Sequence, residues 1–188
     1  MDNVEVRQIA VLLADGFEEI EAVTVIDVLR RADMEVVMVG VGNEMGVLGA
    51  HGIPIGVDCL IDDVEPGAFC LVVLPGGMPG SKNLAENERV HTLVRSVWDG
   101  GGHVAAICAA PIALHAAGML EGRRVTAYPS VESQLTGAVY TGARLEVDER
   151  IVTSKGPGTA MEFALALVRI MGKGETEKQL REAMLIGA

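Results

Sequence analysis

The chain has 188 residues, 49% hydrophobic and 22% charged, with 15 Lys and Arg against 26 Asp and Glu for a net charge of −11. That composition excludes a wholly disordered chain, and the acidic balance argues against nucleic acid as a partner, because duplex binding needs clustered cations. Mean hydropathy is +0.34, yet Gly, Asp, Arg or Pro breaks every apolar run short of membrane-spanning length, so no membrane partner is expected.

In chain order, Met1-Asp2-Asn3-Val4-Glu5 lacks the basic-then-apolar order of a secretory signal. Three cysteines, an odd number, point to a reducing interior rather than a disulfide framework, and a cytoplasmic location is expected. Ile9 to Leu13, Val36 to Val39, Cys70 to Leu74, Val104 to Ile107 and Ile151 to Ser154 are strand-length apolar runs. Unbroken apolarity without alternation fits strands buried on both faces. Between and after them, Glu18 to Arg31, Glu88 to Asp99, Pro111 to Ala117 and Thr159 to Met171 have helix length. Asp15-x-x-Glu18 and Thr159-x-x-Glu162 have capping-box spacing, and Gly172 follows the last apolar position of its helix. The Gly-rich stretch from Gly46 to Ile55 predicts a small hairpin or loop excursion, and Val139 to Val147 an edge hairpin. The tail from Glu175 to Ile186 predicts a surface helix with Leu180, Met184 and Leu185 inward. The alternation predicts a single α/β domain over 1–188, a mostly parallel sheet with helices on both faces.

In such sheets the functional crevice lies beyond the carboxyl ends of the strands. Four segments converge there: Ala14 to Glu21, Pro75 to Gly80, Cys108 to Pro111 and Lys155 to Thr159. Cys108 closes a strand of small residues just before a helix with Pro111 in its first turn, the logic of a nucleophile elbow. Free N–H groups at that helix start predict a thiol that ionises more easily than in a peptide. The plainer reading is a small buried hydrophobe. Cys70 is read as strand packing, and Cys59 as a partly exposed loop residue. Glu21 sits deeper in its helix than Glu18 and Glu19. If its carboxyl projects beside Cys108, two like charges compete, and either the carboxyl or the thiol keeps its proton. Otherwise it is a surface glutamate. Gly76 and Gly77 let backbone N–H groups approach a ligand and, with Ala109, would make an oxyanion hole, although a tight turn explains the glycines as well. His51, His91, His103 and His115 are scattered, with no neighbours at metal-ligand spacing, and no metal site is expected. No phosphate fingerprint is present.

Ala14-x-Gly16-x-Glu18-Glu19-x-Glu21, Leu74-Pro75-Gly76-Gly77-x-x-Gly80-x-x-Asn83-Leu84, Ala105-Ala106-Ile107-Cys108-Ala109-x-Pro111 and Thr153-Ser154-x-Gly156-Pro157-Gly158-Thr159 resemble the ThiJ/PfpI superfamily. They most resemble the branch of the parkinsonism-associated deglycase (DJ-one), in register over almost the whole chain. The resemblance implies a flavodoxin-like three-layer sandwich and a homodimer. It implies a reactive, readily oxidised cysteine at Cys108, a protonated glutamate at Glu21 bonded to that sulfur, and pocket-lining glycines at Gly76 and Gly77. It also implies a glyoxalase or deglycase acting on 2-oxoaldehydes such as methylglyoxal without glutathione, metal or other cofactor. A redox-responsive or chaperone-like protein, with Cys108 as an oxidation switch, is the alternative. Two departures stand out. Where strongly active glyoxalases carry a His, this chain has Tyr128, an auxiliary group but a poor base at neutral pH. Where the protease branch carries His after the cysteine, it has Ala109, which argues against proteolysis. His51 falls where relatives often carry a basic residue that helps close the site.

Overall fold

The computed structural model describes residues 8–187; Met1 to Glu5, read above for a signal, lie outside them. The strands are β1 Gln8–Leu13, β2 Val36–Gly40, β3 Gly46–Leu48, β4 Pro54–Gly56, β5 Cys59–Leu60, β6 Phe69–Leu74, β7 His103–Ile107, β8 Arg124–Val125, β9 Val139–Tyr140, β10 Leu145–Asp148 and β11 Ile151–Ser154. The helices are α1 Glu19–Arg31, α2 Gly80–Ala85, α3 Glu88–Asp99, α4 Pro111–Ala116, α5 Ala160–Ile170 and α6 Gly174–Ala183. Seven strands form the main sheet in the order β10-β11-β7-β6-β1-β2-β5, parallel except for β10 against β11.

Side-chain alternation distributes the sheet between two layers of core. Ile9, Val11, Leu13, Leu71, Val73, Ala105 and Ile107 pack with Val25, Leu29, Phe163 and Leu167 of α1 and α5. Their alternating neighbours Ala10, Leu12, Val72, Leu74, Val104 and Ala106 pack with Val90, Val94, Ile112 and Leu114 of α3 and α4. Both faces exclude water, which is why these strands carry unbroken apolar runs. The result is a flavodoxin-like sandwich. Beside β1 the chain turns back, with β2 on one flank and β6, β7 and β11 on the other, and the crevice opens at the carboxyl ends there.

Local details depart from expectation. Neither capping box forms. The Asp15 carboxylate accepts from the Leu48 amide (2.8 Å), tying down the β3–β4 hairpin, and Glu18 caps α1 with no side-chain bond. The Thr159 hydroxyl turns to Ser154 Oγ (2.6 Å) and the Gly156 carbonyl (2.8 Å), while Glu162 pairs with Arg144. Residues 139–147 are not one hairpin, because β9 pairs with β8 in parallel and β10 returns against β11. Leu180 and Met184 pack inward, but Leu185 lies past the end of α6, 89% exposed. Cys59 is half-buried on β5 rather than in a loop. Among the described residues no helix is long and apolar enough to cross a membrane.

Candidate active site

The β7-to-α4 turn places Cys108 in the left-handed region, at φ 63°. Such a conformation costs a non-glycine residue roughly 1–2 kcal/mol and persists only where the surroundings enforce it. The Cys108 amide donates to the Ser154 carbonyl of β11 (2.9 Å), and its carbonyl accepts from the Tyr128 amide (2.8 Å). Ala105, Ala106, Ala109 and Ala110 are all buried and small enough to let the chain bend there. Cys108 is buried, with 9% of the residue exposed.

Glu21, in the first turn of α1, is fully buried. The Gly76 amide donates to its Oε2 (2.7 Å). Oε1 has no nitrogen or oxygen partner, and the Cys108 thiol is the polar group facing the carboxyl. Gly76 is the hinge of this contact: a Cβ there would lie 2.5 Å from both Cys108 Cβ and Glu21 Oε2 and 2.9 Å from the Ile107 carbonyl. Any side chain at 76 would pry sulfur and carboxyl apart. Gly77, at φ 94°, takes a conformation that favours glycine and turns its N–H, with that of Ala109, toward the sulfur.

Burial pushes the Glu21 carboxyl up to about 7, against the Gly76 and Cys108 hydrogen bonds. Burial, then the Glu21 charge beside it, pushes the Cys108 thiol up to about 12, against the Ala109 and Gly77 amides. The expected acidification of the thiol by the helix start is therefore outweighed. Above about 7 the pair therefore carries one negative charge, on the carboxyl while the thiol keeps its proton, and the pair titrates as a unit rather than as two independent residues.

Glu19, two residues earlier, is also buried but differently served. The His51 amide (2.7 Å), His51 Nδ1 (2.8 Å) and the Ile53 amide (3.4 Å) surround its carboxylate. Burial works to raise it, yet these hydrogen bonds, the His51 side chain foremost, hold it at about 2. His51, read as standing where a basic residue would help close the site, thus fastens the hairpin to α1. Glu19 and the more distant Glu18 (3.8 Å) are its partners. Glu18, Glu19 and His51 have ligand-type atoms within 4.8 Å of one another, a cluster invisible in sequence because His51 lies 32 residues beyond Glu19. The imidazole Nδ1 is already engaged by Glu19, so an ion pair accounts for it. The Glu19 role had no sequence signal beyond a carboxylate at a helix start.

Tyr128 sits on the rim, half-exposed and joined to Cys108 through its amide. The other histidines stand apart: His91 is buried with Nε2 on the Ala85 carbonyl (2.9 Å), His115 approaches Thr136 (3.5 Å), and His103 begins β7 at the opposite end of the sheet.

Comparison with known proteins agrees with this geometry. Protein DJ-1 homolog B of Arabidopsis thaliana is 38% identical over 180 residues, 95% of this chain but 41% of the relative, so the chain spans less than half of that protein. Glutathione-independent glyoxalase DJR-1.2 of Caenorhabditis elegans is 36% identical over 171 residues, 90% of each chain. The crystal structure of Drosophila melanogaster DJ-1beta superposes with a TM-score of 0.93 at 36% identity, covering 97% of this chain and 99% of that one. The model of the DJ-1/PfpI family matches residues 7–170. With its elbow cysteine and buried glutamate set on that fold, the chain belongs to the DJ-1/PfpI family.

Proposed function

We propose that this chain is a cysteine-dependent glyoxalase or deglycase-type enzyme that converts 2-oxoaldehydes such as methylglyoxal to 2-hydroxy acids, using neither glutathione nor metal. The observation that carries the reading is the buried Glu21 carboxyl set against the Cys108 thiol, with Gly76 packed between them and no other polar group at its Oε1. The nematode relative's name, glutathione-independent glyoxalase, supports it.

The ionised Glu21 takes the thiol proton as sulfur adds to the aldehyde carbon and passes it to the aldehyde oxygen, which completes a hemithioacetal and leaves Glu21 ionised again. Glu21 then moves a proton from that carbon to the adjacent one, turning the hemithioacetal into a 2-hydroxy thioester. Water releases the acid and restores the thiol, so one water is consumed per aldehyde. The Gly77 and Ala109 amides, directed at the sulfur, are the donors available to the developing oxyanion beside it. An aldehyde is electrophilic enough to react without a histidine base at position 128.

Purified protein given methylglyoxal, chelator and no glutathione forms lactate, and Cys108→Ser and Glu21→Gln each abolish it. Lactate formation that survives Cys108→Ser overturns the proposal. The same N–H groups favour the alternative, a redox switch in which they stabilise an oxidised Cys108 anion. A stable gain of two oxygens at Cys108 after mild peroxide, without aldehyde turnover, would select it.

A homodimer accords with the exposed Ile20 and Val23 of α1 beside Leu48 and Ile53 of the hairpin that Glu19 fastens to it. Light scattering at micromolar concentration tests this, and a strict monomer excludes it. Three free thiols accord with a cytoplasmic setting.

A further inference from the structure

Two half-exposed side chains stand on the segments whose backbone contacts Cys108. Tyr128, 47% exposed, is bound to Cys108 through its own amide (2.8 Å). Met78, 55% exposed, directly follows Gly77, whose N–H faces the sulfur. The Tyr128 ring rests against Gly156, where a Cβ would lie 3.4 Å from Cδ2 and 3.9 Å from Cε2. Gly156 is itself held by its amide bond to the Thr159 hydroxyl (3.1 Å), which bonds Ser154 next to the Cys108 amide's acceptor. The phenol makes no hydrogen bond to another described residue, and the ring backed by Gly156 is the apolar surface that the rim offers a ligand. The carboxyls at this mouth, Glu18 and Glu21, oppose an anionic substituent.

We infer that Tyr128, with Met78 next to the Gly77 amide, is the specificity-determining wall of the site and selects 2-oxoaldehydes bearing an aromatic or other apolar, uncharged substituent. The inference rests on the aldehyde reading above and names its substrate class. A flat ring on a preformed backing gains contact with an aromatic substituent that a methyl group cannot supply, and methionine sulfur favours the edge of such a ring.

The test compares kcat/KM for phenylglyoxal and methylglyoxal. Their ratio falls about ten-fold in Tyr128→Ala, stays within about two-fold in Tyr128→Phe, and falls about three-fold in Met78→Ala at its exposed position. A second arm needs no turnover: alkylation of Cys108 by phenacyl bromide against bromoacetone, each rate normalised to a cysteine peptide and followed by mass at Cys108. Sulfur bonds the methylene carbon, bromide leaves with the electron pair, and the thiol proton passes to Glu21 or water. The haloketone ratio falls in the same order across the variants. An unchanged haloketone ratio in Tyr128→Ala and Met78→Ala overturns the inference, as does a Tyr128→Phe ratio that falls as far as Tyr128→Ala. Absence of turnover with both aldehydes strikes the glyoxalase reading instead, and the haloketone arm still decides Tyr128.

Discussion

The hairpin junction and the thiol pocket each bury a carboxylate from the first turns of one helix, and they treat it in opposite ways. At the junction, Glu19 collects two backbone amides and an imidazole and is held at about 2. In the pocket, Glu21 receives one amide and faces a thiol, and burial lifts it to about 7. Glu19 lies nearer the surface and has more N–H groups aimed at it, while Glu21 lies deeper with one amide, and both differences push the two acids apart. One arrangement builds a fixed anion that holds the hairpin in place. The other leaves a proton free to move near neutral pH, which general acid–base chemistry requires.

Exchanging the acids for amides separates the two roles. Glu21→Gln removes the proton carrier, and lactate formation drops by at least about 100-fold while the fold is kept, read by coupled assay and circular dichroism. Gly76→Ala breaks the same pocket sterically, with comparable loss of activity and a stability cost of about 1–3 kcal/mol from overpacking, measured by urea denaturation. Glu19→Gln does the converse: it costs about 1–3 kcal/mol by weakening charge-assisted bonds to His51 and Ile53, with far less effect on kcat.

The pH dependence of these two variants has opposite sign. Glu19 is depressed from 4.5 to about 2, so its contribution is complete above about 4.5 and disappears as pH falls toward 2. The Glu19→Gln penalty is therefore fullest near pH 5 to 6, shrinks in acid, and declines at higher pH as His51 loses its charge. Glu21 is raised from 4.5 to about 7, so the folded state binds the proton more tightly than the unfolded chain and loses stability as pH rises across that window. Glu21→Gln accordingly gains in Tm relative to the parent between pH 5 and 7. His51 is held above its ordinary range by Glu19, so its contribution is present below about 6.5 and fades at higher pH. His51→Ala gives the smallest effect, a lowering of Tm at pH 6 that diminishes by pH 9.

The sheet was readable because strands buried on both faces must be apolar throughout, as Val72 to Leu74 and Val104 to Ile107 are. The two-residue strands β5 and β8 carry no comparable pattern. Cap spacing at Asp15 and Thr159 was present in the chain, but tertiary partners at Leu48 and Ser154 claimed both side chains. At the site, small residues around Cys108 announced the sharp turn, and the loops after the strands announced their convergence. Whether Glu21 entered the pocket depended on helix phase against a sheet edge. The Glu19–His51 contact depended on a hairpin whose register local sequence does not specify. The thiol's elevation arises from burial and a carboxyl 87 positions away in the chain, quantities that exist only after folding.

The rate of Cys108 alkylation by a small neutral reagent from pH 5 to 10, in the parent and in Glu21→Gln, probes the coupled pair most directly. The account predicts an inflection near pH 7 in the parent, where the pair loses its first proton, and none there in Glu21→Gln. The same profile in both proteins, with the inflection of an ordinary peptide thiol, would contradict it.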